Sequence, residues 1–135
     1  MGPKQRLNEA IADTGPILHL DEIGSLYLLK IFPKIYASNQ VLKELKSFAV
    51  NLKKFKFIEP KAIEESRIKN LAKKSDLSKL HEADISVLAL ADELKVKIIL
   101  TDDLHLREKS KDNKLIPVGT IGIIFKSYTS GLITR

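Results

Sequence analysis

The chain has no cysteine among its 135 residues, which excludes a disulfide framework, a thiolate-held zinc and a cysteine nucleophile together. No apolar run approaches the roughly 20 residues that cross a bilayer. Met1 to Ala10 lacks the apolar stretch of a secretory leader, so the expected location is the cytoplasm, with no membrane partner. Neither a G-x-G-x-x-G loop nor a Walker pattern occurs, which removes the commonest nucleotide cradles. Repeats, low-complexity tracts and long linkers are also missing. What remains is 44% hydrophobic and 30% charged, enough apolar matter for a packed core rather than disorder. The length predicts one domain, over residues 11–135, behind a short extension at residues 1–10.

Charge is unevenly distributed. Residues 43–79 hold eleven basic and five acidic side chains, and this accounts for the whole net charge of +6. Such a stretch is either a pair of solvated Lys-rich helices or a surface that faces a polyanion. On the second reading, Lys53, Lys54, Lys69, Lys73 and Lys74 are the candidates for nucleic-acid contact.

Hydrophobic periodicity gives an alternation of strands and helices. Asn8 to Asp13 reads as a strand before a turn at Thr14-Gly15-Pro16, with a helix expected over Ile23 to Ile31. A second strand, Lys34 to Ala37, leads to a helix capped by Ser38 or Asn39. Phe55 and Phe57 alternate with lysines as in a short extended segment, and Ile63, Ile68, Leu71 and Ala72 make a helical stripe. Glu82 to Leu94 is apolar nearly all round and predicts a buried helix. Lys97 to Leu100 and Leu115 to Val118 are strands, a short helix through Arg107 lies between them, and Thr120 is the expected cap of a last helix. Strands without a polar face that alternate with helices predict an α/β fold with a mainly parallel sheet.

Four acidic positions then fall where such sheets bind ligands, beyond the carboxyl ends of strands. Asp13 closes the first strand, Glu44 lies early in the helix after the second, Asp84 opens the buried helix, and Asp102 and Asp103 follow Leu100. Each alone reads as a turn, surface or capping residue. Together they resemble a carboxylate cluster, which is self-repelling unless a cation joins it. Oxygen-only ligands select Mg²⁺ or Mn²⁺ over zinc, and such an ion beside a basic surface suits phosphodiester hydrolysis. His19 reads as packed or hydrogen-bonded, Glu82 as a solvent-facing rim acid, and Arg107 equally as a phosphate contact or a neutralising charge.

Ile11-Ala12-Asp13-Thr14-Gly15-Pro16 resembles the opening of a PIN domain. Val41-Leu42-Lys43-Glu44-Leu45 is similar to that family's second motif, and Glu82-Ala83-Asp84 leading an alanine-rich helix to its third. Leu100-Thr101-Asp102-Asp103 with Arg107 resembles the fourth, and Ile116 to Gly122 the ending of a prokaryotic branch. The resemblance implies a three-layer α/β/α PIN-like fold and a metal-dependent ribonuclease that leaves a 5′-phosphate and a 3′-hydroxyl. Carried over by position, it implies Asp13, Glu44, Asp84 and Asp103 as the catalytic acids. Asp13, Asp84 and one of Asp102 and Asp103 would hold the metal, with Asp103 favoured, while Thr14 and Thr101 brace the carboxylates. It further implies RNA as substrate, a toxin role with a small antitoxin as partner, and a homodimer. The alternatives are an RNA-processing nuclease and an RNA-binding scaffold with a relict site. A phosphoacceptor receiver domain is disfavoured, because Asp13 stands alone and Gly119-Thr120 follows the last strand in place of a lysine.

Overall fold

The computed structural model describes residues 8–50, 57–74, 77 and 79–131. Among these residues five strands form one wholly parallel sheet: β1 (Ala10–Ala12), β2 (Ile35–Ser38), β3 (Ile58–Lys61), β4 (Ile98–Leu100) and β5 (Ile116–Val118), in the order β3-β2-β1-β4-β5. Helices flank it: α1 (Thr14–Glu22), a 3-10 helix (Leu26–Ile31), α2 (Asn39–Ser47), α3 (Glu65–Lys74), α4 (Glu82–Leu94), α5 (Leu104–Asp112) and α6 (Thr120–Thr129). The architecture is the three-layer α/β/α arrangement expected of a PIN-like fold. Ile11 is level with Tyr36 on one side and Ile99 on the other, so β1 is central and fully buried. Parallel strands covered on both faces need apolar residues throughout, which is why β1, β2 and β4 show no polar alternation.

Helix α4 buries every residue from Ala83 to Ala91 and packs on β1 and β2 as well as on α2 and α3. Its one hydroxyl in that span, Ser86, is satisfied by a directed chain of hydrogen bonds. Val41 N donates to Ser38 Oγ (3.0 Å), Ser38 Oγ lies 2.6 Å from Ser86 Oγ, and Ser86 Oγ donates to Ala83 O (2.5 Å). Because the Ser86 proton goes to the carbonyl, Ser38 must be the donor between the two hydroxyls. The chain ties the end of β2 to the start of α4. Ser86→Ala leaves the buried Ser38 hydroxyl without an acceptor and should cost about 1–3 kcal/mol, to be read from denaturant unfolding midpoints.

Several local expectations differ from the structure. Thr14-Gly15-Pro16 is not a turn but the first turn of α1, where the missing N–H of Pro16 forfeits no helical bond. The helix expected over Ile23 to Ile31 is a 3-10 helix that starts at Leu26, because Gly24 sits at φ +69° and ends the preceding helix. Gly119, not Thr120, occupies the cap position of α6, and Thr120 is its first residue. Helix α5 also runs past Arg107 to Asp112, with Lys109 and Lys111 in its last turn where cations favour the helix end. Lys53, Lys54 and Phe55 lie outside the described residues, as does the side chain of Lys74.

Candidate active site

Chain direction across the sheet reverses between β1 and β4. From β1 the chain proceeds to β2 and β3, then returns past β1 to reach β4 and β5. Open α/β sheets bind ligands at such a reversal, beyond the carboxyl ends of the strands that flank it, here β1 and β4. Asp13 follows β1 there, Thr101 to Asp103 follow β4, and Asp84 enters from the first turn of α4.

Asp13 is 5% exposed and stands at the cap position of α1 without capping it. One carboxylate oxygen, Oδ2, accepts a hydrogen bond from Thr101 Oγ1 at 2.8 Å. Burial and the negative charge of Asp84 push its pKa from 3.8 to about 7; the Thr101 hydroxyl and the Thr14 backbone N–H oppose the rise, and Glu44 adds to it. The pKa of Asp84 is also raised, first by burial and then by the charges of Asp103 and Glu44, against the lowering effect of the His81 backbone N–H and its ring. That N–H donates to Asp84 Oδ2 at 3.1 Å. Asp13, Asp84, Asp103 and Glu44 therefore act on one another as like charges. Glu44 itself is exposed on α2, at the outside of the group.

Asp102 belongs to a different assembly. His19 Nδ1 lies 2.8 Å from Asp102 Oδ2, Thr120 N donates to Asp102 Oδ1 at 2.7 Å, and the Thr120 hydroxyl also donates to this carboxylate. Burial raises its pKa, but the Thr120 and His19 hydrogen bonds outweigh burial and leave it below 3.8. The group fastens α1 and α6 to the end of β4. It explains Gly119: a Cβ there would stand 2.7 Å from Asp102 Oδ1 and 3.2 Å from Arg107 Nη1. Arg107 donates from Nη1 to Thr101 O at 3.2 Å, beside the carboxylate cluster and not within it. Asp102→Asn and Gly119→Ala should each lower stability by about 1–3 kcal/mol through lost charge-assisted hydrogen bonds or the clash, measured as melting temperature. Since the Asp102 pKa is lowered on folding, its contribution is present above its unfolded value and is lost as pH falls through the folded one.

Hydrogen bonding decides which oxygens stay open. Asp103 caps α5, with Leu106 N donating to Oδ1 at 2.8 Å, and Thr101 Oγ1 accepts from Asp103 N at 3.1 Å. Thr101 thus braces Asp13, whereas the buried hydroxyl of Thr14 has no hydrogen-bond partner among the described residues. Among the described residues, no three His, Asp or Glu side chains converge closely enough to hold an ion as they stand. The donor set nonetheless fits a hard cation: mutually repelling buried carboxylates, each with an oxygen uncommitted by these hydrogen bonds, beside an orphaned hydroxyl. Lys69 and Lys73 are exposed on α3. Sequence patterning missed the Asp102–His19–Thr120 group, although Gly119 before a hydroxyl residue was its one local signal.

The chain matches the DUF3368 family model, described as a PIN domain, over residues 9–135. It belongs to the PIN-domain family. No curated protein matches it. PIN domains are generally nucleases and typically use divalent metals, so family and fold define this protein as a nuclease-class domain.

Proposed function

We propose that the chain is an Mg²⁺- or Mn²⁺-dependent endoribonuclease whose metal would be held by Asp13, Asp84 and Asp103. The carrying observation is the pair of buried carboxylates, Asp13 and Asp84, at the sheet's switch point, where burial and the charge of Asp84 raise Asp13 to about 7. When bound, the cation supplies positive charge to the phosphoryl oxygens and acidity to the attacking water. Thr101 fixes the rotamer of Asp13 by its hydrogen bond, and the cap that Asp103 makes on α5 fixes its own carboxylate. Glu44, exposed on α2, would complete the cluster or help orient the attacking water. Lys69 and Lys73, with Lys53, Lys54 and Lys74, hold RNA phosphates, and Arg107 contributes charge beside the cluster. Asp102 is assigned to structure and not to the metal, because His19 and Thr120 already occupy its oxygens. The biological role we favour is that of a toxin restrained by a small antitoxin, and exposed Ile121 and Phe125 on α6 support a homodimer.

Initial rates on a fluorogenic RNA with Mn²⁺ test the assignment. Asp84→Asn and Asp103→Asn should each lose about a hundredfold, or about 2.7 kcal/mol at 1.36 kcal/mol per factor of ten. Asp102→Asn should keep most of its turnover below its own melting transition. The separation of the carboxylates supports a second reading, an RNA-binding scaffold with a relict site. It requires wild-type protein that binds the RNA and never cleaves it.

A further inference from the structure

At the opposite end of the molecule, a groove of ≈ 770 Å³ runs between α3, the end of α4 and the segments that enter β4 and β5. Along α4 the lining begins at Leu88, four residues or about 6 Å beyond Asp84, and continues to the cap residue Lys95, about 16 Å beyond it at 1.5 Å per residue. We propose that this groove is a docking site for an acidic peptide segment with aliphatic anchor residues.

Leu88 and Ala91 of α4 floor the groove, and half-buried Leu71 and Leu115 flank it. Its volume lies within the roughly 300–1,000 Å³ of ligand-sized clefts. The wall is positively biased. Arg67 is already engaged by Asp92 (3.2 Å) and Glu93 (3.3 Å), and Lys95 lies 3.9 Å from Asp92. Among the described residues, Lys97 and Lys109 pair with no carboxylate, while Asp112 is the only lining acid outside the Arg67–Lys95 network. Two open lysines beside aliphatic surface complement a segment that carries leucine-like side chains on one face and carboxylates at its edge. Among the described residues no aromatic ring lines the groove, so these residues offer no platform on which the bases of single-stranded RNA would stack. The peptide is therefore the occupant that the lining favours. This site is independent of the carboxylate cluster and of the nuclease reading.

A phage-displayed library of random 16-residue peptides, panned on the full chain with counter-selection on Lys97→Glu/Lys109→Glu, tests the proposal. The enriched sequences should carry leucine or isoleucine at i and i+3 or i+4, with an excess of Asp and Glu. A fluorescein-labelled synthetic copy should bind wild type at least tenfold more tightly than the double variant. It should shift the methyl resonances of Leu71, Leu88 and Leu115, and it should lose binding when its anchors become serine. RNA cleavage by the double variant should equal that of wild type. Failure to enrich any peptide, enrichment without acidic bias, or equal capture by the variant overturns the proposal. A 20-nucleotide RNA in chelator is the other arm: if the double variant loses RNA affinity while no peptide is retained, the groove is a nucleic-acid surface instead.

Discussion

Asp13→Asn should reduce metal-dependent RNA cleavage at least about a thousandfold, or about 4 kcal/mol of transition-state stabilisation. The amide has the shape of the carboxylate but is a poor ligand for a hard cation, so the loss falls on chemistry and not on folding. Thr101 can still donate its hydrogen bond to the amide oxygen of the variant. Single-turnover cleavage in Mn²⁺, run beside thermal melts of both proteins, measures the two effects separately. Near-wild-type cleavage by a folded Asp13→Asn variant would remove Asp13 from the site.

The second large effect is on stability, and its sign follows from the raised pKa of Asp13. Between about 4 and 7 the folded chain holds a proton on Asp13 that the unfolded chain has released. In the metal-free protein this contribution is complete at pH values below 3.8 and is lost as pH rises through about 7. Carrying one carboxyl over that interval corresponds to on the order of 4 kcal/mol. Wild type in chelator should therefore lose stability between mildly acidic and mildly alkaline pH. Asp13→Asn, which has no proton to lose there, should be flatter and more stable than wild type at about pH 8. Mn²⁺ should restore wild type by mass action, by about 2.7 kcal/mol at 100 times its dissociation constant, and should do little for the variant. Urea titrations at several pH values, with and without Mn²⁺, resolve the difference.

Much of this arrangement was legible in the chain. The apolar triplets of β1 and β4 and the unbroken apolar span of α4 can only be buried, which places the acids that follow or open them at one end of the sheet. The buried state of Asp13 and Asp84 follows from those neighbours, and the capping role of Ser38 from its place before Val41. Less legible were features set by side chains distant in sequence. Thr14-Gly15-Pro16 carries turn chemistry, yet packing draws it into α1. Asp102 and Asp103 are adjacent and chemically identical, and only their partners separate them: His19 and Thr120 for one, the α5 amide for the other. Glu44 showed apolar neighbours like the other acids, but α2 turns it outward to solvent. The far groove left no local signal either, since Leu71, Leu88 and Leu115 come from three separate elements or loops.

Calorimetric titration of Mn²⁺ into the protein at about pH 6.5, repeated in buffers of different ionisation enthalpy, bears on the central claim most directly. A cation that enters the cluster must displace the proton held by Asp13, so binding should release on the order of one proton per ion. Asp13→Asn should bind far more weakly and release none. Saturable binding with proton release in wild type, lost in the variant, is the expected result. Absence of binding at millimolar Mn²⁺, or binding of equal strength in both proteins without proton release, would contradict a metal site at these carboxylates.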